Sequence, residues 1–137
     1  MDKQVIATEK APAAVGPYSQ GICAGELVFT AGQLGIVAGT KAFAGPTIEE
    51  QTRQALENLE AVLEAGGSCL KHVLKTTVFL EDIGEFARMN SVYAEFFPEN
   101  PPARSAVQVA ALPLGGRVEI EAVAMACACE SGEEGCI

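Results

Sequence analysis

The chain lacks most of what would tie it to a phosphate backbone, a membrane or a catalytic metal. Nine lysines and arginines stand against eighteen aspartates and glutamates, a formal net charge of −9. Nucleic-acid binding rests on clustered Lys and Arg that release counterions, and no such cluster occurs, so nucleic acid is not an expected partner. One well-placed Arg still acts locally, which leaves a small anionic ligand open. No apolar run reaches the ~18 residues of a bilayer span, so no membrane is expected either. The opening MDKQVIATEKAP has none of the basic, apolar and small-residue succession of a secretory signal, and a cytoplasmic location is expected. The single histidine, His72, forms no catalytic pair and no Ser-His-Asp constellation. The five cysteines, Cys23, Cys69, Cys127, Cys129 and Cys136, are odd in number and irregular in spacing, which argues against a disulfide framework. Cys127 and Cys129 form a lone C-x-C knuckle far from His72, so free thiols and no bound metal are expected.

What remains is an ordinary globular composition, 49% apolar and 20% charged over 137 residues, enough for one domain with a real core. Residues 3–8 read as a strand, and residues 11–16 as a loop stiffened by Pro12. Residues 22–24 and 27–34 flank Gly25-Glu26 as a hairpin. Its second strand, LVFTAGQL, is nearly continuously apolar and therefore central. Gly32 inside it marks a bulge or a close approach to the backbone. Thr47-Ile48-Glu49-Glu50 has the form of a capping box, and apolar residues recur at helical spacing until Gly66-Gly67. Residues 73–80, VLKTTVFL, read as a buried strand. Asp82 with Glu85 predicts the cap of a second helix, with Phe86, Met89, Asn90, Tyr93 and Phe97 on one face and Pro98 as its stop. Asn90, the polar exception there, is either a core-edge residue bonded to backbone or the brace of a pocket wall.

Residues 101–126, PPARSAVQVAALPLGGRVEIEAVAMA, organise the functional reading. Two alternating runs, 103–111 and 117–126, flank a Pro-Leu-Gly-Gly turn and predict a hairpin. Arg104 follows two prolines that stiffen the chain, so its guanidinium is aimed, and a fixed Arg grips a carboxylate through two parallel hydrogen bonds. Glu119 and Glu121 share one face of the second run, opposite Val118 and Ile120. They form a solvated outer face or supply a carboxylate that orients and deprotonates water. The element order predicts an α+β fold, a mostly antiparallel sheet covered on one side by two helices. The bare face is too apolar to stay wet, which predicts self-association. Residues 1–126 form one domain, and residues 127–137 an acidic, cysteine-containing tail.

GPYSQ at 16–20, TAGQ at 30–33, KTTVFLEDIGEF at 75–86, PPARSAVQVAALP at 101–113 and VEIEAVA at 118–124 together resemble the RidA family, also called YjgF, the reactive-intermediate deaminases. The resemblance covers about residues 6–124, and several motifs in order make it specific. It implies a chorismate-mutase-like (YjgF-like) α+β subunit in a homotrimer with a barrel-like core and three clefts between subunits, with no cofactor and no metal. It implies that Arg104 grips the substrate carboxylate, that Glu119 rather than Glu121 positions the hydrolytic water, that Tyr18 and Asn90 line the cleft, and that the backbone at Gly32 approaches the ligand. The implied reaction is hydrolysis of 2-imino acids and their enamine tautomers, such as 2-iminobutanoate and 2-iminopropanoate, to the 2-keto acid and ammonia. Rival readings are a trimeric module that binds small carboxylates without turnover, and a ribonuclease or translation inhibitor. Ala106 and Ala31 depart from the Cys and Ser that many family members carry there.

Overall fold

Thr47 and Glu50 open the longer helix as their spacing predicts. The Glu50 amide donates to the Thr47 hydroxyl and the Thr47 amide to the Glu50 carboxylate, each at 3.1 Å, so two amides at the helix start are satisfied reciprocally. The structure is a computed structural model that describes residues 2–126; the acidic tail with Cys127, Cys129 and Cys136 lies outside the described residues. Helix α1 runs Ile48–Ala65 and stops at Gly66, where any Cβ would collide with the Ile6 side chain. Thr47→Ala removes the box, and a loss of about 1 kcal/mol is expected. Thermal denaturation should then report a Tm lower by roughly 3–5 °C, and an unchanged Tm would mean that the box adds nothing.

The strands are β1 (Lys3–Ile6), β2 (Gly21–Ala24), β3 (Leu27–Thr30), β4 (Gln33–Leu34), β5 (Val73–Leu80), β6 (Ala103–Gln108) and β7 (Val118–Met125). They form one sheet in the order β1-β2-β3-β7-β5-β6, with β4 also on β7. Every pairing is antiparallel except β5 with β6. One face carries Val28, Val78, Leu80, Val118, Ile120 and Ala124, all buried against Ile48, Leu56, Leu59 and Leu63 of α1. The second helix, α2 (Phe86–Phe96), adds Met89 and Tyr93 to the same core. The α+β expectation, two helices over a mostly antiparallel sheet, holds.

The expected terminal hairpin does not form. β6 pairs in parallel with one edge of β5 through the α2 crossover, and β7 pairs with the other edge. The connection between them bridges the end of β5 instead of turning back on itself: the Val109 amide donates to Leu80 O at 2.9 Å and the Glu81 amide to Arg117 O at 3.0 Å. That bridge spans two strand spacings, about 10 Å, which the intervening residues cover easily. Alternation marks both runs as strands but says nothing about which partner each takes.

Two smaller expectations also change. Asp82 accepts from the Gly84 amide at 2.8 Å and caps a short 3-10 turn, Ile83–Glu85, whereas α2 itself starts at Phe86 and its N-cap, Glu85, makes no side-chain capping bond. The single strand expected over 27–34 breaks into β3 and β4. Both lie on β7, but their registers differ by one residue, so Ala31-Gly32 holds a bulge. The Thr30 hydroxyl accepts the Ala122 amide at 3.0 Å and fills the gap in the ladder.

Candidate active site

Arg104 is the second residue of the edge strand β6, opposite Thr76 of β5. Its side chain lies on the helix-covered face. Nη1 donates to Asn90 Oδ1 at 2.7 Å, and the guanidinium carbon sits 4.7 Å from the Tyr93 ring centre and 5.2 Å from that of Phe86. Phe86, Asn90 and Tyr93 recur along one face of α2 at helical spacing, so the helix presents one neutral acceptor and two aromatic faces to one cation. Asn90 therefore braces the arginine and does not bond to backbone, the plainer of its two expected roles. Among the described residues no carboxylate pairs with Arg104. Tyr93 is buried, and its hydroxyl lies 2.7 Å from the Thr76 hydroxyl. Burial pushes the phenol pKa up, while the Thr76 bond and the Arg104 charge oppose that rise.

Glu119 and Glu121 stand on the other face of β7, opposite Phe79 and Thr77. Both are half-buried, so they are not a fully solvated outer face. Desolvation by burial pushes the Glu119 carboxyl above its ordinary range, and the neighbouring Glu121 charge adds to the rise. The Gly32 bulge abuts this group closely. A Cβ on Gly32 would lie 2.8 Å from Glu119 Cδ and Oε2, so the position needs glycine for close approach, as the sequence predicts. Gly32→Ala should swing the flexible carboxylate aside and leave Tm within about 2 °C. Should Glu119 take part in a reaction, a displacement of about 1 Å there predicts a loss of roughly 10- to 100-fold in kcat/KM. Unaltered kinetics would mean that Glu119 is not held there for chemistry.

Tyr18 sits on an exposed loop shaped by a residue that sequence reasoning passed over. Buried Gln20 accepts the Thr8 amide at 2.7 Å and donates to Thr8 O at 3.0 Å and Pro12 O at 2.7 Å. These bonds clamp the stretch before Tyr18. The Gln20 carbonyl accepts the Ala31 amide at 2.8 Å, tying the loop to the bulge. Tyr18 lines a cleft of about 480 Å³ together with Val5, Ala13 and Ala14, and neither Arg104 nor Glu119 borders that cleft. The GPYSQ motif held the signal, since a glutamine beside a proline-rich loop offers both a donor and an acceptor to otherwise unpaired backbone.

Within one chain, then, Arg104 and Glu119 stand on opposite faces of the sheet. The register makes this plain. Arg104, Thr76 and Ala122 share the buried side, whereas Glu119 pairs with Phe79 on the bare side. That bare side also exposes Val5, Phe29, Val107 and Met125. Fold and geometry define an α+β protein with an arginine held against α2 on the helix-covered face of the sheet and a half-buried carboxylate at a backbone bulge on the bare face. A family model described as Endoribonuclease L-PSP matches residues 8–126. The chain belongs to that family, the RidA/YjgF family. It is 49% identical over 122 residues to Reactive Intermediate Deaminase A, chloroplastic, of Arabidopsis thaliana, a match covering 89% of this chain and 65% of the plant protein. It is 44% identical over 123 residues to the 2-iminobutanoate/2-iminopropanoate deaminase of Homo sapiens, covering 90% of each. The crystal structure of Escherichia coli TdcF with bound serine superposes with a TM-score of 0.86 at 40% identity, over 90% of this chain and 99% of that one.

Proposed function

We propose that the protein is a cofactor-independent hydrolytic deaminase of 2-imino acids and their enamine tautomers, with 2-iminobutanoate and 2-iminopropanoate as substrates. It acts as a homotrimer in which Arg104 of one copy and Glu119 of the next face a shared cleft. The observation that carries the reading is the division of the two groups between opposite faces of one sheet, each set for chemistry that the other completes. An exposed apolar face on the Glu119 side supports burial against another copy. The Gly32 backbone belongs to the Glu119 half and Asn90 to the Arg104 half, while Tyr18 would join the cleft from a loop tied to the bulge by the Gln20–Ala31 backbone bond.

Arg104 holds the substrate carboxylate through the guanidinium edge that Asn90 leaves uncommitted. The protonated imine carbon is already electrophilic, so no covalent nucleophile is required. Glu119 takes a proton from water as the oxygen bonds to that carbon, giving a carbinolamine. That proton then passes to the nitrogen. As the C–N bond breaks, Glu119 takes the carbinol O–H proton, the C=O bond of the 2-keto acid forms, and the departing ammonia carries the proton away as ammonium. A carboxylate whose proton affinity is raised toward neutrality suits this exchange. Ala106 and Ala31 take no part in it, so neither a thiol nor a serine hydroxyl is needed at those places.

The test couples a pyridoxal-phosphate-dependent dehydratase to the purified protein and follows keto-acid formation. Added protein should speed its appearance, and kcat/KM should fall on the acid side above the ~4.3 typical of a glutamate. No acceleration at any concentration sinks the reading. Binding without turnover is the second reading, favoured by the serine held in the E. coli relative. The ribonuclease reading has less support, with a net charge of −9 and one histidine in the chain. Among the described residues no helix is long and apolar enough to cross a membrane, and a cytoplasmic location stays part of the proposal.

A further inference from the structure

The geometry points to Tyr93, and through it Thr76, as positioning residues that set the direction of the Arg104 guanidinium while leaving its charge unspent. The contacts close a loop. Arg104 of β6 lies over the Tyr93 ring of α2 at 4.7 Å, the Tyr93 hydroxyl meets Thr76 of β5 at 2.7 Å, and Thr76 is the register partner of Arg104. Phe97 backs the Tyr93 ring at 4.7 Å between centroids, so the ring has little freedom to tilt. Thr76 is fully buried and Tyr93 nearly so. Their mutual bond therefore works in a low-dielectric setting, where a lost partner is costly.

Among the described residues, the side chains in contact with the guanidinium are neutral. Asn90 supplies an amide oxygen, and Phe86 and Tyr93 supply aromatic faces. An aspartate in place of Asn90 would orient the cation equally well but cancel its charge. A neutral amide and two rings orient it and keep the full positive charge for a ligand. The cluster thus makes the half-site selective for an anionic substrate over an uncharged analogue of the same shape. This rests on the assignment of Arg104 to the substrate carboxylate.

The test compares competitive inhibition by 2-oxobutanoate and by its neutral amide, 2-oxobutanamide. The variants are Tyr93→Phe, Thr76→Val, the double variant, Asn90→Asp and Arg104→Ala. Tyr93→Phe and Thr76→Val should each weaken the acid roughly 3- to 10-fold and leave the amide within about twofold. The double variant should be no worse than either alone, because both remove one shared bond. It leaves neither hydroxyl unpaired, so it remains informative if Thr76→Val folds poorly. Asn90→Asp, nearly isosteric, should cost the acid at least about tenfold through charge alone. Wild-type acid affinity in Tyr93→Phe and the double variant, or equal loss of acid and amide, overturns the inference while Arg104→Ala still loses the acid. If Arg104→Ala itself binds the acid as the wild type does, the assignment of Arg104 to the substrate fails first, and that result is distinct.

Discussion

Glu119→Gln should lower kcat/KM for 2-iminopropanoate by ~10²–10⁴-fold, the usual contribution of a positioned general base. The substitution keeps the shape of the group against the Gly32 bulge and removes only its ability to take a proton. Binding of the keto-acid product should therefore stay within about twofold of wild type. A second consequence has the opposite sign. Burial holds the Glu119 pKa above its ordinary value, so ionising it in the folded chain works against folding. That cost is present above the folded-state pKa and absent below the unfolded-state value, where the group is protonated in both states. Glu119→Gln should thus raise Tm at neutral pH, with the gain fading as pH falls into the acid range. Glu121→Gln should move the acid limb of the rate profile down, but only part of the way, because burial is the larger cause and remains. Full turnover in Glu119→Gln would remove the carboxylate from the mechanism and leave binding without chemistry as the better reading.

Mixing two dead variants should restore activity. Arg104→Ala and Glu119→Gln chains, each expected to be nearly inactive, are unfolded together at equal concentrations and refolded. If each cleft takes its arginine from one copy and its carboxylate from the next, any trimer containing both kinds of chain has one intact cleft of three. Three-quarters of the trimers are mixed under random assortment, so recovery should approach about a quarter of wild-type activity. The effect is large, since the unmixed variants supply almost no background. It follows from the sheet: a side chain on the helix-covered face and one on the bare face do not converge on one ligand within a chain. Recovery at background level, with mixed trimers present by sedimentation or native mass measurement, would place both groups in one chain's site. A purified protein that stays monomeric would defeat the arrangement more directly.

How far the sequence carried the reading differs from element to element. The capping box at Thr47 and the helical face of α2 were legible because their information is local, within one or two turns. The Gly32 bulge was legible too, since an isolated glycine in an apolar strand has few other reasons to be there. The partner of β6 was not. Two alternating runs separated by a Pro-Leu-Gly-Gly turn look the same whether they pair directly or straddle a third strand, and only the long-range demand of β5 for partners on both edges decides. Asn90 was visible as a polar residue among aromatics, but its bond to Arg104 crosses from helix to strand and leaves no trace in either segment alone. Gln20 went unnoticed because its bonds all run to backbone, which carries no residue-type signature.

The position of β7, last of the described strands yet inserted between β3 and β5, bears on how the molecule is made. Until residues 118–125 are available, the earlier strands can pair only as two separate flaps, β1-β2-β3 and β5-β6, with no strand to join their ladders. Each presents a raw inner edge of unpaired amides and carbonyls to solvent. Closure waits for β7 to slide between them, so the chain is most vulnerable to clumping before that strand docks. A chain cut before residue 118 leaves the two flaps unsewn, and such truncated chains should be cleared by proteases rather than accumulate as weak enzyme.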